Sequence, residues 1–239
     1  MHPINKETEQ FTSTLLPQLV NKQYESSILL RCPHEDISPE IAVIVVSGEG
    51  RTPVTYSDAT SHQLTQNELM TIAKQNQENS PYYLSSIENM CGLESEDSGQ
   101  VQLLVLTNME AYLGSAEILN SVAMREASDR LEAEQLYIIP SSTHEVIILP
   151  RDSGVTPDQL DAIIHEINRS IVQAHEHLAE HSLVYDHQMQ SLSEARAQYS
   201  GIKKTDTKCI DNSNAKSIDS SPFSASYDGA TITHERHHT

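Results

Sequence analysis

The run Ile41–Val46, IAVIVV, constrains this chain more than any other stretch. It holds six apolar residues in a row, five of them β-branched, and no polar face. It is too short for a packed helix, so it predicts a strand covered on both sides, ended by the turn Ser47-Gly48-Glu49-Gly50. Val101–Leu106, Leu136–Ile139 and Glu145–Leu149 repeat the pattern. Pro53–Ser57 and Leu113–Leu119 are weaker strand candidates, the latter containing Gly114-Ser115-Ala116, small enough for close backbone packing. Pro140-Ser141-Ser142-Thr143-His144 predicts a tight turn joining two of the strands.

Helical signals fall between these runs. Thr65 and Glu68 form a capping box opening a helix to about Gln77, with Leu69, Ile72 and Ala73 inward. Ser121 predicts a cap for a helix to about Glu134, with Val122, Met124, Ala127 and Leu131 inward. Thr156 followed by Pro157 opens another, whose apolar face is Leu160, Ile163, Ile164, Ile167 and Ile171. Near the start, Asn5 as cap and the stripe Phe11, Leu15, Leu16, Leu19 predict a short helix kinked at Pro17. Interleaved strands and helices with a hairpin predict an α+β fold: a single mixed-sheet domain with a few packing helices.

Charge sharpens the boundaries. The 239 residues carry 34 acids and 15 bases, a net −19. Residues 37–190 hold 23 of the acids and only 6 bases, whereas residues 191–239 balance at 6 and 6. The chain therefore divides into a helical extension (1–36), an acidic α+β domain (37–190) and a polar tail (191–239). The tail's sparse apolar residues cannot offset the entropy of ordering it, so it reads as disordered. Such acidity argues against direct contact with nucleic acid or an anionic membrane, both polyanions. No stretch is apolar enough to span a bilayer. Three widely spaced cysteines, Cys32, Cys91 and Cys209, fit free thiols in a cytoplasmic setting. The sequence does not indicate the oligomeric state.

Leu106-Thr107-Asn108, then Gly114-Ser115-Ala116-Glu117-Ile118-Leu119, then Leu136–Ile148 with its Pro-Ser-Ser-Thr-His-Glu string, resembles domain-of-unknown-function family 5688 over about residues 37–190. The resemblance implies a bacterial protein of a kind often carried on mobile elements. The family has no established activity, so it implies a fold unit and no reaction. Ser115 stands where the family has alanine, and fewer residues precede Ile41 than in other members, so the chain resembles a shortened or diverged member.

Chemistry-bearing residues concentrate at that string. Ser142 as nucleophile, His144 as base and Glu145 as orienting acid would make a small catalytic or ligand-binding turn, with Ser141 adding a hydroxyl. The structural alternative has the hydroxyls satisfying turn backbone and His144 donating to a carbonyl. His144 and Glu145, adjacent on a strand, would point to opposite faces. Asn108, ending a strand, either meets a ligand or closes a turn. His165, His175, His177 and His181 suggest a metal set, with His177 and His181 four apart on a helix face. No third ligand has an arguable spacing, and an exposed histidine-rich face is the expectation. No P-loop, dinucleotide fingerprint, nucleophile elbow or zinc-knuckle spacing occurs, so no cofactor is expected.

The acidity then points to a surface for a basic protein partner, with Glu94, Glu96 and Asp97 at one loop as binding candidates. The expected function is an accessory interaction protein. Its sharper form is an acidic inhibitor occupying the basic groove of a nucleic-acid-binding protein. The alternative is the small enzyme or ligand binder built on the Ser142/His144/Glu145 turn.

Overall fold

The computed structural model describes residues 6–24, 37–48, 50–90, 101–140 and 142–197. Glu94, Glu96, Asp97, Ser141, the three cysteines and residues 198–239 of the tail lie outside the described residues. In chain order the elements are α1 (Lys6–Thr12), β1 (Leu16–Asn21), β2 (Ile41–Ser47), β3 (Thr52–Pro53), α2 (Tyr56–Ser61), α3 (Gln66–Glu78), β4 (Tyr82–Ser86), α4 (Ile87–Met90), β5 (Leu104–Asn108), α5 (Ser121–Leu131), β6 (Gln135–Ile139), β7 (Val146–Pro150), α6 (Pro157–Ser170), β8 (Leu183–Asp186) and β9 (Ser191–Glu194). Short 3₁₀ turns lie at Lys22–Tyr24, Gly114–Leu119 and Ala174–Glu176.

The class is α+β, but the strands make two sheets instead of one mixed sheet. One has the order β1-β2-β3 and the other β4-β5-β7-β6-β8-β9. Every pairing is antiparallel. At β6 and β7 the reason is local: the link between them is of hairpin length and permits only an antiparallel neighbour. Ile41–Val46 is buried throughout, as its composition requires, and forms the middle strand of the smaller sheet.

Alternation sorts the larger sheet's residues into two cores. Leu136, Ile138, Val146, Ile148, Leu183 and Tyr185 face the main core, shared with Leu69 and Ala73 of α3, Met124 and Ala127 of α5, and Leu19 and Val43 of the smaller sheet. Tyr137, Ile139, Leu149 and Val184 face the other way, against Leu160 and Ile164 of α6. Among the described residues no helix is long and apolar enough to cross a membrane.

Several elements depart from the sequence reading. Leu16–Asn21 is a strand paired to β2, and the helix before it ends at Thr12. A leucine spacing of three and four residues fits a helix, yet Leu15 and Leu19 are both fully buried on the sheet. Pro17 is tolerated because β1 is an edge strand. Only Thr52–Pro53 pairs with β2. Thr55 and Asp58 then form a capping box and start α2. In the predicted strand Leu113–Leu119, residues Gly114–Leu119 form a 3₁₀ turn, and Asn120, not Ser121, caps α5 by accepting from the Val122 and Ala123 N–H groups. Val122 consequently turns outward, 49% exposed. The Thr65–Glu68 and Thr156–Gln159 boxes cap α3 and α6. On α6 Ile163 and Ile171 are exposed, while Asp161 and Asn168 are buried with Leu160 and Ile164. The sheet runs on to Glu194, four residues into the segment composed like a tail, because Leu192 packs on the main core.

Candidate functional site

Three separated strings meet at one point. The end of β5, the start of the Gly114–Leu119 turn and the β6–β7 loop are joined through His144. Its carbonyl accepts from the Thr107 hydroxyl at 2.7 Å and from the Gly114 N–H at 2.9 Å. Its own N–H donates to Ser142 Oγ at 2.9 Å. The Leu113 N–H donates to Nδ1 at 3.1 Å, and Nε2 faces Glu176 Oε1 at 3.1 Å. Because Nδ1 accepts, the ring proton belongs on Nε2, where it is donated to Glu176. That bond holds the Glu176 carboxyl below the usual carboxylate range.

Neighbouring groups complete the knot. The Thr143 N–H donates to the Glu176 carbonyl at 2.9 Å, and the Thr143 carbonyl accepts from Ser115 N–H at 3.2 Å. Ser142 bridges to His177 as an isolated β-bridge. Leu113 holds a left-handed φ of 52°, which swings its N–H onto the imidazole.

The proposed catalytic trio is therefore not assembled. Both ring nitrogens of His144 are committed, so no lone pair is left to take a proton from a nucleophile. Ser142 is 5% exposed and accepts from backbone rather than donating to the imidazole. Glu145 is exposed, and the carboxylate on His144 comes from Glu176 instead. The reason is the loop: His144 precedes β7, so the strand alternation that would oppose it to Glu145 does not govern it. Asn108 is 3% exposed and closes its own turn, donating to the Tyr112 carbonyl at 2.8 Å and accepting from the Tyr112 N–H at 3.2 Å.

A cavity of about 170 Å³ opens beside the knot, walled by Tyr112, His144, Glu176 and His177 with Gln18 and Asn21 of β1. Ser142 does not line it.

The four histidines of the suspected metal set do not gather at one point, although the rings of His165 and His181 lie edge to face with centroids 6.4 Å apart. The Ala174–Glu176 turn and an extended segment replace the helix that would have stacked His177 on His181. His177 Nε2 meets the Val172 carbonyl at 3.0 Å, His181 Nδ1 meets Glu40 at 2.9 Å, and His165 Nε2 meets Glu180 at 3.2 Å. Among the described residues no three His, Cys, Asp or Glu side chains converge as metal ligands would.

A second polar cluster has no sequence signal beyond one acidic residue in an apolar string. Glu117 is 5% exposed. It accepts from Asn120 Nδ2 at 3.2 Å, and Asn120 also donates to the Gln77 carbonyl at 3.1 Å. Burial pushes the Glu117 carboxyl up to about 7, against the opposing pull of its amide partners and of Arg51. Its folded value lies above its unfolded one. The stability from keeping it protonated is thus full below the ordinary carboxylate range and lost as pH rises through about 7. Glu117→Gln should melt with wild type near pH 5 and above it near pH 8. Parallel melting curves across that range would show that Glu117 stays solvated and ionised in the fold.

No curated protein and no solved structure matches the chain. The family model that does match covers residues 4–187, from ahead of α1 to just past β8. It thus takes in β1, whose pairing to β2 makes it part of the fold, as well as all three strings that His144 ties together. The chain belongs to the family of unknown function DUF5688.

Proposed function

We propose that the chain is a non-enzymatic accessory protein of the bacterial cytoplasm, encoded on a mobile element, that docks a basic protein partner through its acidic surface. One observation carries this. Among the described residues of 37–190, ten acids are exposed against three bases, Arg125, Arg130 and Arg169. Arg130 pairs with Glu126, and Arg169 pairs with Glu166. The negative field is thus little offset from within. One part of it is the end of α5, where Asp129, Glu132 and Glu134 are exposed along with Arg130. Carboxylates of this kind accelerate encounter with a basic surface. In the sharper form the partner's surface is a nucleic-acid groove and this chain displaces the polyanion.

The test is binding kinetics with a partner captured from the host. As ionic strength rises from about 0.1 M to about 1 M the screening length falls from about 10 Å to about 3 Å, and association should slow steeply. Replacing Asp129 by Asn and Glu132 and Glu134 by Gln should slow association more than it speeds dissociation. Adding the partner's nucleic acid should release this chain. An on-rate indifferent to salt and to the triple replacement would reduce the acidity to a solubility feature.

A further inference from the structure

Helix α6 buries Leu160 and Ile164 against the larger sheet, yet it carries a second apolar row. Ile163, Ile167 and Ile171 are four residues apart, so they stand one above another along the helix. Ile163 is 46% exposed and Ile171 71%, with Ile167 half-buried between them. Single exposed apolar residues are ordinary on a protein surface, whereas a continuous row marks a face that meets something.

Charge selects what it meets. Two copies of a chain of net charge −19 repel across most of their surface. At contact only charges within a screening length of about 8 Å count, and on α6 they nearly cancel. Its three acids are all held by arginine, Asp158 and Asp161 by Arg196 and Glu166 by Arg169. Three acids against two arginines is close to balance, where residues 37–190 as a whole set 23 acids against 6 bases. A basic protein finds little field to follow here and is drawn to the carboxylates elsewhere. A second copy of this chain meets the least repulsion here.

We propose that the chain self-associates through α6, a second copy lying antiparallel across the isoleucine row. About a two-fold axis at Ile167, each copy's Ile163 meets the other copy's Ile171. Rows spaced by four residues interlock at a crossing of about 50°. Helix α5 packs on the opposite face of the larger sheet, so its acidic end stays open in the dimer. One helix row buries less than the roughly 1,200–2,000 Å² of a stable interface, so the dimer is weak, with a Kd of about 10–100 µM.

The experiment is sedimentation equilibrium of the full chain from about 5 µM to about 500 µM, which brackets that Kd. Wild type should pass from monomer to dimer. Raising salt from about 0.1 M to about 1 M should tighten the dimer, because it screens the remaining repulsion and leaves the apolar contact intact. Ile163→Glu and Ile171→Lys should each weaken self-association about tenfold or more, and a thermal melt verifies the fold at these exposed positions. Mixed together, the two variants should pair, because the antiparallel row sets the new carboxylate of one against the new ammonium of the other. A chain that stays monomeric to about 500 µM would overturn the proposal and assign the row to a different protein. So would a dimer that loosens with salt, a dimer that both folded variants leave intact, or variants that fail to pair when mixed.

Discussion

Gly114→Ala should destabilise the protein by about 3 kcal/mol, at the upper end of the cost of overpacking a closed site. A Cβ at residue 114 would lie 2.5 Å from the Asn108 backbone nitrogen and 2.8 Å from the His144 carbonyl oxygen, and closer still to Thr107 Oγ1. A side chain could swing away, but two of these three neighbours are backbone, one in β5 and one in the β6–β7 loop. Either the turn moves off, breaking the 2.9 Å bond from Gly114 N–H to His144, or the loop moves and releases His144 from Thr107. Urea denaturation of wild type and variant measures the loss. Adding Thr107→Ala to the variant should recover only a minor part, since the backbone contacts remain. A Gly114→Ala protein of wild-type midpoint would show that the three strings are less tightly closed than they are drawn.

Asp161→Ala should cost about as much, about 3 kcal/mol, for a different reason. Asp161 is 1% exposed on α6 and Ser182 is fully buried. The carboxylate accepts from the Ser182 N–H at 2.7 Å and from its hydroxyl at 2.8 Å, and its other oxygen stands 2.6 Å from Arg196 Nε. Alanine would strand two buried donors of Ser182. Arg196, with its side chain half exposed, can turn to water, which keeps the loss toward the lower end for a broken buried pair. Asp161→Asn keeps one acceptor for Ser182 and should fall between wild type and alanine. Equal stability of all three in urea titrations would mean that water reaches Ser182.

These residues mark where the sequence was legible and where it was not. Capping boxes are local, so the starts of α3 and α6 could be placed to the residue from Thr65, Glu68, Thr156 and Pro157. Unbroken apolar runs are equally local, which made β2, β6 and β7 readable. The 3₁₀ turn was misread as a strand because Gly114–Leu119 combines small and apolar residues without a helical period. On α6 the isoleucines looked like the inner face, but Asp161 and Asn168 are inside because partners in the segment leading into β8 satisfy them. Asn168 donates to the Ala179 carbonyl at 3.0 Å. The Pro-Ser-Ser-Thr-His-Glu string was visible as a cluster of reactive side chains. Its meaning depended on Glu176 and Leu113, which no spacing rule connects to His144.

The unequal loading of the larger sheet also ranks the motions of the molecule. Among the described residues its main face joins a core of 28 buried apolar residues that also takes in the smaller sheet, whereas the face under α6 joins a core of seven. Little apolar area is exposed when α6 lifts away, and the helix is tied down chiefly by Asp161 and Asn168. Such a helix opens as a unit of its own, below the free energy of global unfolding. Amide protons along α6 then exchange through this partial opening. Those of β6 and β7, central in the sheet and covered on both faces, exchange only when the whole fold comes apart.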